Sequence, residues 1–199
     1  MARPLQFERQ KAIDAAMGVF WQQGYSASSL QQLLNAMQIN RGSLYAAFGD
    51  KAGLFTEVID NYQNRIQAVV IGLLSNELDP AKGIKDVFEL TLLALTKDSL
   101  ALGCLLVNTI NELSPIDSDL ANHAAKKLDA VEQAFITACK RAQTLNQMTT
   151  EITPESAGKM LMTNMIGLRV QSRRGVEISD LEQSITPLLN MLMPTLDKR

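Results

Sequence analysis

Between Ser28 and Phe48, two short apolar patterns of helical period stand one tight turn apart. Leu30, Leu33, Leu34 and Met37 recur at i, i+3, i+4 and i+7, one face of a helix. Ser28, with Gln31 three residues on, reads as a capping box at the start of that helix. Gln38, Ile39 and Asn40 make a short connection, and Asn40 suits the cap of a third helix running to Phe48. That helix is about two turns long, with Leu44 and Phe48 one turn apart and directed inward. Two helices of about eight residues joined by a three- to four-residue turn are the skeleton of a helix-turn-helix. A short capped helix with a surface Arg and Tyr also occurs in other all-α proteins, so spacing alone leaves both readings open.

The helical period continues along the chain, and no run reads as a strand. A first helix is predicted from about Glu8 to Gln23, its face made by Ile13, Ala16, Met17 and Phe20, with Gly24 as its stop. Asp50 caps a long fourth helix from Lys51 to about Leu74. The stretch Asn76–Gly83 breaks it. Further helices are predicted at about Ile84–Thr96, Leu102–Leu113, Ser118–Thr144, Pro154–Arg173 and Asp180–Met193. Thr153 before Pro154 is a helix start with Pro at the first position, and Ser179 with Glu182 is another capping box. The fold class is therefore all-α.

The composition shifts partway along. Eight of ten aromatic residues lie at or before Tyr62, and six of nine methionines lie at or after Met148. A small aromatic-rich unit followed by a larger aliphatic, Met-rich one implies two differently built cores. Net charge over 199 residues is −2, so any contact with nucleic acid must come from a local patch. Two cysteines, Cys104 and Cys139, are too few for a disulfide framework and fit reduced thiols in a cytoplasmic protein. The opening residues lack the apolar core of a signal peptide, and no uncharged apolar run approaches the roughly 20 residues of a membrane span.

In a helix-turn-helix the second helix enters the major groove, and its first residues meet the bases. With Leu44 and Phe48 turned inward, Arg41, Ser43, Tyr45 and Ala46 are expected to face outward. Arg41 can reach guanine acceptors or a phosphate. Gly42 allows close backbone approach, and the Ser43 and Tyr45 hydroxyls can donate to phosphates. Lys51 stands near a helix N-terminus that also favours phosphate. Ser28 and Ser29, at the start of the supporting helix, are further candidates for backbone contact.

The stretch Gly24–Phe55 resembles the signature of the TetR family of bacterial transcriptional repressors. Gly24-Tyr25, Ser28, Leu30, Leu33, Arg41-Gly42-Ser43-Leu44-Tyr45, Phe48, Lys51 and Leu54-Phe55 match in order and spacing. Two positions depart from the pattern. Ala36-Met37-Gln38 stands where an Ala-Gly often precedes the turn, and Ala46 stands where His often follows the Tyr. The resemblance implies a DNA-binding domain over residues 1–50 and a helical ligand-binding and dimerisation domain over 51–199, joined by the long fourth helix. It implies a homodimer on a roughly palindromic double-stranded operator, with half-sites about 34–36 Å apart or a multiple of that. It also implies release by a small-molecule inducer, and pairing of the last two helices with their partner copies. Leu161, Met165 and Leu168, and the stripe Leu181, Ile185, Leu188, Leu189 and Leu192, suit such pairing or an ordinary intrachain core.

Gly103–Leu113 also resembles a subgroup in which a Gly-Cys-Leu stretch opens a sensor helix. Cys104 is then a candidate sensing thiol. Such a thiol works as thiolate, which a helix N-terminus favours; the alternative is a small buried hydrophobe. Asn108 and Asn111 can orient a ligand in an apolar cavity or face solvent. His123, the only histidine, has no ligand-type residue at i+3 or i+4, so it reads as a pocket polar group or a surface residue rather than a metal ligand. Phe88, Leu92, Val107, Val131, Phe135, Met162 and Met165 are candidate pocket walls or simply core. No metal and no cofactor is expected. An all-α enzyme lacks paired catalytic carboxylates, a Ser-His-Asp set and a Gly-rich phosphate loop. A ligand-independent architectural DNA binder remains the other alternative.

Overall fold

The computed structural model describes residues 8–93 and 96–194. Among these residues there is no strand. The elements are α1 (Arg9–Gln23), α2 (Leu30–Met37), α3 (Arg41–Phe48), α4 (Lys51–Leu74), α5 (Pro80–Phe88) with a π-helical turn over Glu89–Leu93, α6 (Lys97–Ala101), α7 (Leu105–Leu113), α8 (Ser118–Thr144), α9 (Pro154–Arg173) and α10 (Ile178–Leu192).

Contacts divide the chain into two units. The first holds the described residues up to Arg65 together with Leu105–Ala125. Its core is aromatic: Phe20 meets the Phe55 ring edge-on at 4.7 Å, Tyr25 lies 4.9 Å from Phe55, and Trp21 packs at 5.0 Å on Tyr62. Leu33, Leu44, Leu54 and Val58 fill the space between them with no exposed surface. Residues of α7 and early α8 belong here as well, where Leu105, Leu113 and Ala124 are buried. This discontinuity has no signal in the sequence, because apolar spacing records that a helix is buried and not which core it joins.

The second unit holds Ile66–Cys104 and the residues from Lys126 onward. Its core is aliphatic, with Phe88 and Phe135 as a ring pair 6.0 Å apart. Leu161 and Leu168 of α9 pack there with Leu181, Ile185, Leu189 and Leu192 of α10, while Met165 and Leu188 sit at its margin. The stripe on α10 therefore serves the chain's own core. Arg169 is buried in this unit, donating to the Thr91 carbonyl at 3.0 Å and to the Gly103 carbonyl, so one guanidinium ties the π-helical turn and the end of α6 to α9.

Several helix starts differ from the expected ones, each for a local reason. The capping box of α2 is Ser29 with Gln32, one residue later than Ser28 with Gln31. Ser28 is instead buried, its hydroxyl donating to the Gly24 carbonyl at 2.5 Å. α5 begins at Pro80 rather than Ile84, because Asp79 accepts from the Lys82 N–H at 3.1 Å and Pro80 suits the first turn. The helix expected over Leu102–Leu113 starts three residues later, at Leu105, because Gly103, at a φ of +70°, interrupts the helical backbone between α6 and α7. The end of the helix expected to reach Thr96 falls on 94–95, outside the described residues, and Thr96 itself caps α6. α10 starts at Ile178 after Glu177 with no side-chain cap, so the Ser179–Glu182 box does not form. The starts of α4, where Asp50 accepts from the Gly53 N–H at 2.7 Å, and of α9, capped by Thr153, are as expected.

Candidate nucleic-acid interface

The turn between α2 and α3 is built from backbone outward. Gln38 takes the left-handed conformation at φ 55°, ψ 38°, and the Ile39 N–H reaches back to the Leu34 carbonyl at 3.2 Å. This reverses the chain within three residues. Asn40 then caps α3: its side-chain oxygen accepts from the Ser43 N–H at 2.8 Å and from the Ser43 hydroxyl at 3.1 Å. Leu44 is wholly buried and Phe48 nearly so, which fixes the roll of α3. Arg9 holds its far end, lying 4.8 Å over the Phe48 ring, donating to the Ala47 carbonyl at 3.4 Å and pairing with Glu57 at 2.6 Å. Nothing in the sequence pattern singled out Arg9, whose role depends on where α1 passes α3.

With the roll fixed, Arg41, Gly42, Tyr45 and Ala46 are exposed, Tyr45 by 46%. A Cβ on Gly42 would meet only the Asn40 side-chain oxygen, at 3.3 Å. Ser43 does not face outward: it is buried beneath Asn40 and completes the cap. Ser29 is exposed, and its oxygen accepts from the Gln32 N–H at 3.2 Å. Lys51 is half-buried, its ammonium 4.5 Å over the Tyr25 ring. Burial pushes the Lys51 ammonium below its ordinary value, against the pull of Glu112. Burial also raises the Tyr25 phenol, with Asp117 and Asp50 adding to it.

Glu112 of α7 was not among the expected site residues. One carboxylate oxygen accepts from the Tyr25 N–H at 2.9 Å and the other from the Ser26 N–H at 2.7 Å. Burial would raise this carboxyl, but those bonds and Lys51 outweigh it and hold the group below the usual carboxylate range. Gly24 makes room for it: φ is +84°, and a Cβ there would stand 2.6 Å from the carboxylate.

The expected ligand residues fall in both units. Phe88, Leu92, Phe135 and Met162 lie in the core of the second, with Met165 at its margin accepting from the Thr91 hydroxyl at 3.3 Å. Cys104 is half-buried just before α7, and Cys139 is fully buried, which raises its thiol to about 12. In the first unit Val107 is buried, Asn108 half-buried and Asn111 exposed. Exposure takes Asn111 out of any enclosed cavity. His123 pairs with Asp60 at 2.9 Å, which makes it a structural contact between α8 and α4. A cleft of about 210 Å³ opens between α6 and the α9–α10 turn, beside Lys97, Ser172 and Glu177, and none of the expected ligand residues lines it. Among the described residues, no group of three or more His, Cys, Asp or Glu is arranged to hold a metal ion. No single helix among them is long and apolar enough to cross a membrane.

Residues 12–58 match the family described as bacterial regulatory proteins, tetR family. The HTH-type transcriptional repressor ComR of Escherichia coli K12 is 29% identical over 182 residues, 91% of this chain and 87% of ComR. The HTH-type transcriptional repressor BdcR of the same organism is 31% identical over 127 residues, 62% of this chain and 64% of BdcR. A cysteine mutant of the TetR family transcriptional regulator CifR, solved in complex with 26-bp double-strand operator DNA, aligns with a TM-score of 0.87 and 27% identity, over 96% of this chain and all of that one. Residues 12–58 are thus a TetR-family helix-turn-helix domain, and the chain is a DNA-binding transcriptional regulator, not an enzyme.

Proposed function

We propose that the protein is a cytoplasmic, ligand-responsive repressor that binds a roughly palindromic operator as a homodimer and is released by a small-molecule inducer. Residues 1–50 are its reading head and 51–199 its sensing and dimerising part. The observation that carries the reading is the orientation of α3: Leu44 and Phe48 are buried, and Arg41, Gly42, Tyr45 and Ala46 are exposed together. Arg41 reads a base edge, and Tyr45, Ser29 and Lys51 hold phosphates. Ser28 and Ser43 are left out because both are buried. Phe88, Leu92, Phe135, Met162 and Met165, which share the core of the second unit or its margin, wall the inducer site.

Duplexes selected by the purified protein from a random library test this reading. A common, symmetric sequence is expected. Arg41→Ala is expected to relax preference at defined positions of it by about 1–3 kcal/mol, whereas Tyr45→Phe weakens binding to all duplexes alike. Enrichment of no sequence overturns the reading. Thermal-shift screening for stabilising small molecules separates a sensor from an architectural binder.

A second reading concerns Cys104. Its half-buried place at the N-terminus of α7 suits a thiol sensor of oxidants or electrophiles. Cys104→Ser is then expected to abolish release of the selected duplex by hydrogen peroxide while leaving release by apolar ligands intact. Unchanged release by peroxide removes this reading.

A further inference from the structure

We propose that Glu112 is a positioning residue for DNA binding: its carboxylate fixes the α1–α2 turn, and Lys51 beside it, in the place that the operator requires. This rests on the repressor reading above and adds to it the part through which α7 acts on the reading head.

Three observations meet at this carboxylate. Both oxygens are used on consecutive backbone N–H groups, those of Tyr25 and Ser26, from a residue 86–87 positions away in sequence. Gly24, in a conformation that suits glycine, leaves room for the acid where a methyl group would collide with it. The Tyr25 ring so placed packs on Phe20 and Phe55 and carries the Lys51 ammonium on its face. The acid therefore sets the turn, the turn sets the ring, and the ring with the acid sets Lys51, a proposed phosphate contact at the start of α4.

The arrangement is sensitive to small movement. The two bonds are 2.7 and 2.9 Å long, and an N–H···O contact is lost beyond about 3.5 Å, so a displacement of α7 of under about 1 Å is enough to release the turn. Glu112 lies in the last turn of a helix that Cys104 immediately precedes, about 12 Å further along its axis at 1.5 Å per residue. A change at the start of α7 is thereby delivered to the reading head as a change in Lys51.

The test uses the full chain and the duplex that the wild-type protein selects. Glu112→Gln keeps the shape, removes the charge and turns an NH2 group toward one of the two N–H donors. It is expected to weaken binding to the selected duplex about tenfold or more, and to weaken binding to an unrelated duplex less, so that selectivity falls. In a Lys51→Met background the same change is expected to cost much less, because the two act through one path; a purely structural role would give equal losses in both backgrounds. Glu112→Asp, which keeps the charge but draws the oxygens back, is expected to fall between and serves if Glu112→Gln does not fold. Wild-type affinity and selectivity in Glu112→Gln or Glu112→Asp overturns the proposal, as do additive losses with Lys51→Met. A wild-type protein that selects no duplex overturns instead the repressor reading beneath it.

Discussion

Gln38 occupies the one position of the helix-turn-helix where the backbone requires φ near +55° and the side chain is not glycine. The left-handed conformation costs a non-glycine residue about 1 kcal/mol, partly offset by the entropy that glycine loses on folding. Gln38→Gly is therefore expected to stabilise the protein by up to about 0.5 kcal/mol in denaturant titration, without changing which duplex is selected. A loss of stability would mean that the Gln38 side chain contributes a contact larger than its backbone strain. At this scale the sequence was most legible where a residue's role is local. Asn40, Asp50 and Thr153 cap helices because a short acceptor and a nearby N–H are all a cap needs. It was least legible where two neighbouring residues of one type compete. Ser28 and Ser29 both suit a cap, and only packing decides that Ser28 is buried while Ser29 takes the role. Ser43 was misplaced for a different reason: two-turn periodicity put it outward, and its hydroxyl is drawn in to the Asn40 cap.

Among elements, α7 departs most from what its sequence advertised. Its apolar residues read as sensor-half packing, yet Leu105, Leu106, Val107 and Leu113 are buried in the unit that holds the helix-turn-helix. The attachment through Glu112 carries a pH signature. This carboxyl sits lower in the folded protein than in the unfolded chain, where it lies near about 4.3, so its charge stabilises the fold at neutral pH. That contribution is fully present above the unfolded value and is lost as pH falls through the folded one. The stability difference between wild type and Glu112→Gln is therefore expected to stay level from about pH 7 to 5 and to shrink below about pH 4, measured by urea titration at each pH. A gap that persists at pH 3 would mean that shape rather than charge holds the turn. Neither Glu112 nor Arg9 could be found from spacing, because each acts on an element far away in sequence. The Gly24-Tyr25 pair was the one available hint that something occupies the space a side chain would fill.

At the scale of the molecule, the all-α class followed from apolar period alone, and the aromatic-to-aliphatic shift in composition does correspond to two cores of different make-up. Dimerisation was harder to read. The α10 stripe faces its own core, so the proposed pairing surface passes to the outward residues. These include Thr163, Gly167 and Val170 on α9 and Gln183, Pro187 and Met191 on α10, with Val170 44% and Met191 51% exposed. Val170→Asp with Met191→Asp is expected to convert a dimer into a folded monomer in sedimentation equilibrium and to reduce affinity for the selected duplex sharply. An unchanged mass would move the pairing surface elsewhere.

That residues 105–125 share a core with the N-terminal helices limits how this regulator can be recombined. A graft that splices its first fifty residues onto a foreign sensor would leave Tyr25 and Ser26 with two unanswered amides. Swapping specificities between such proteins would require transplanting two separated segments at once.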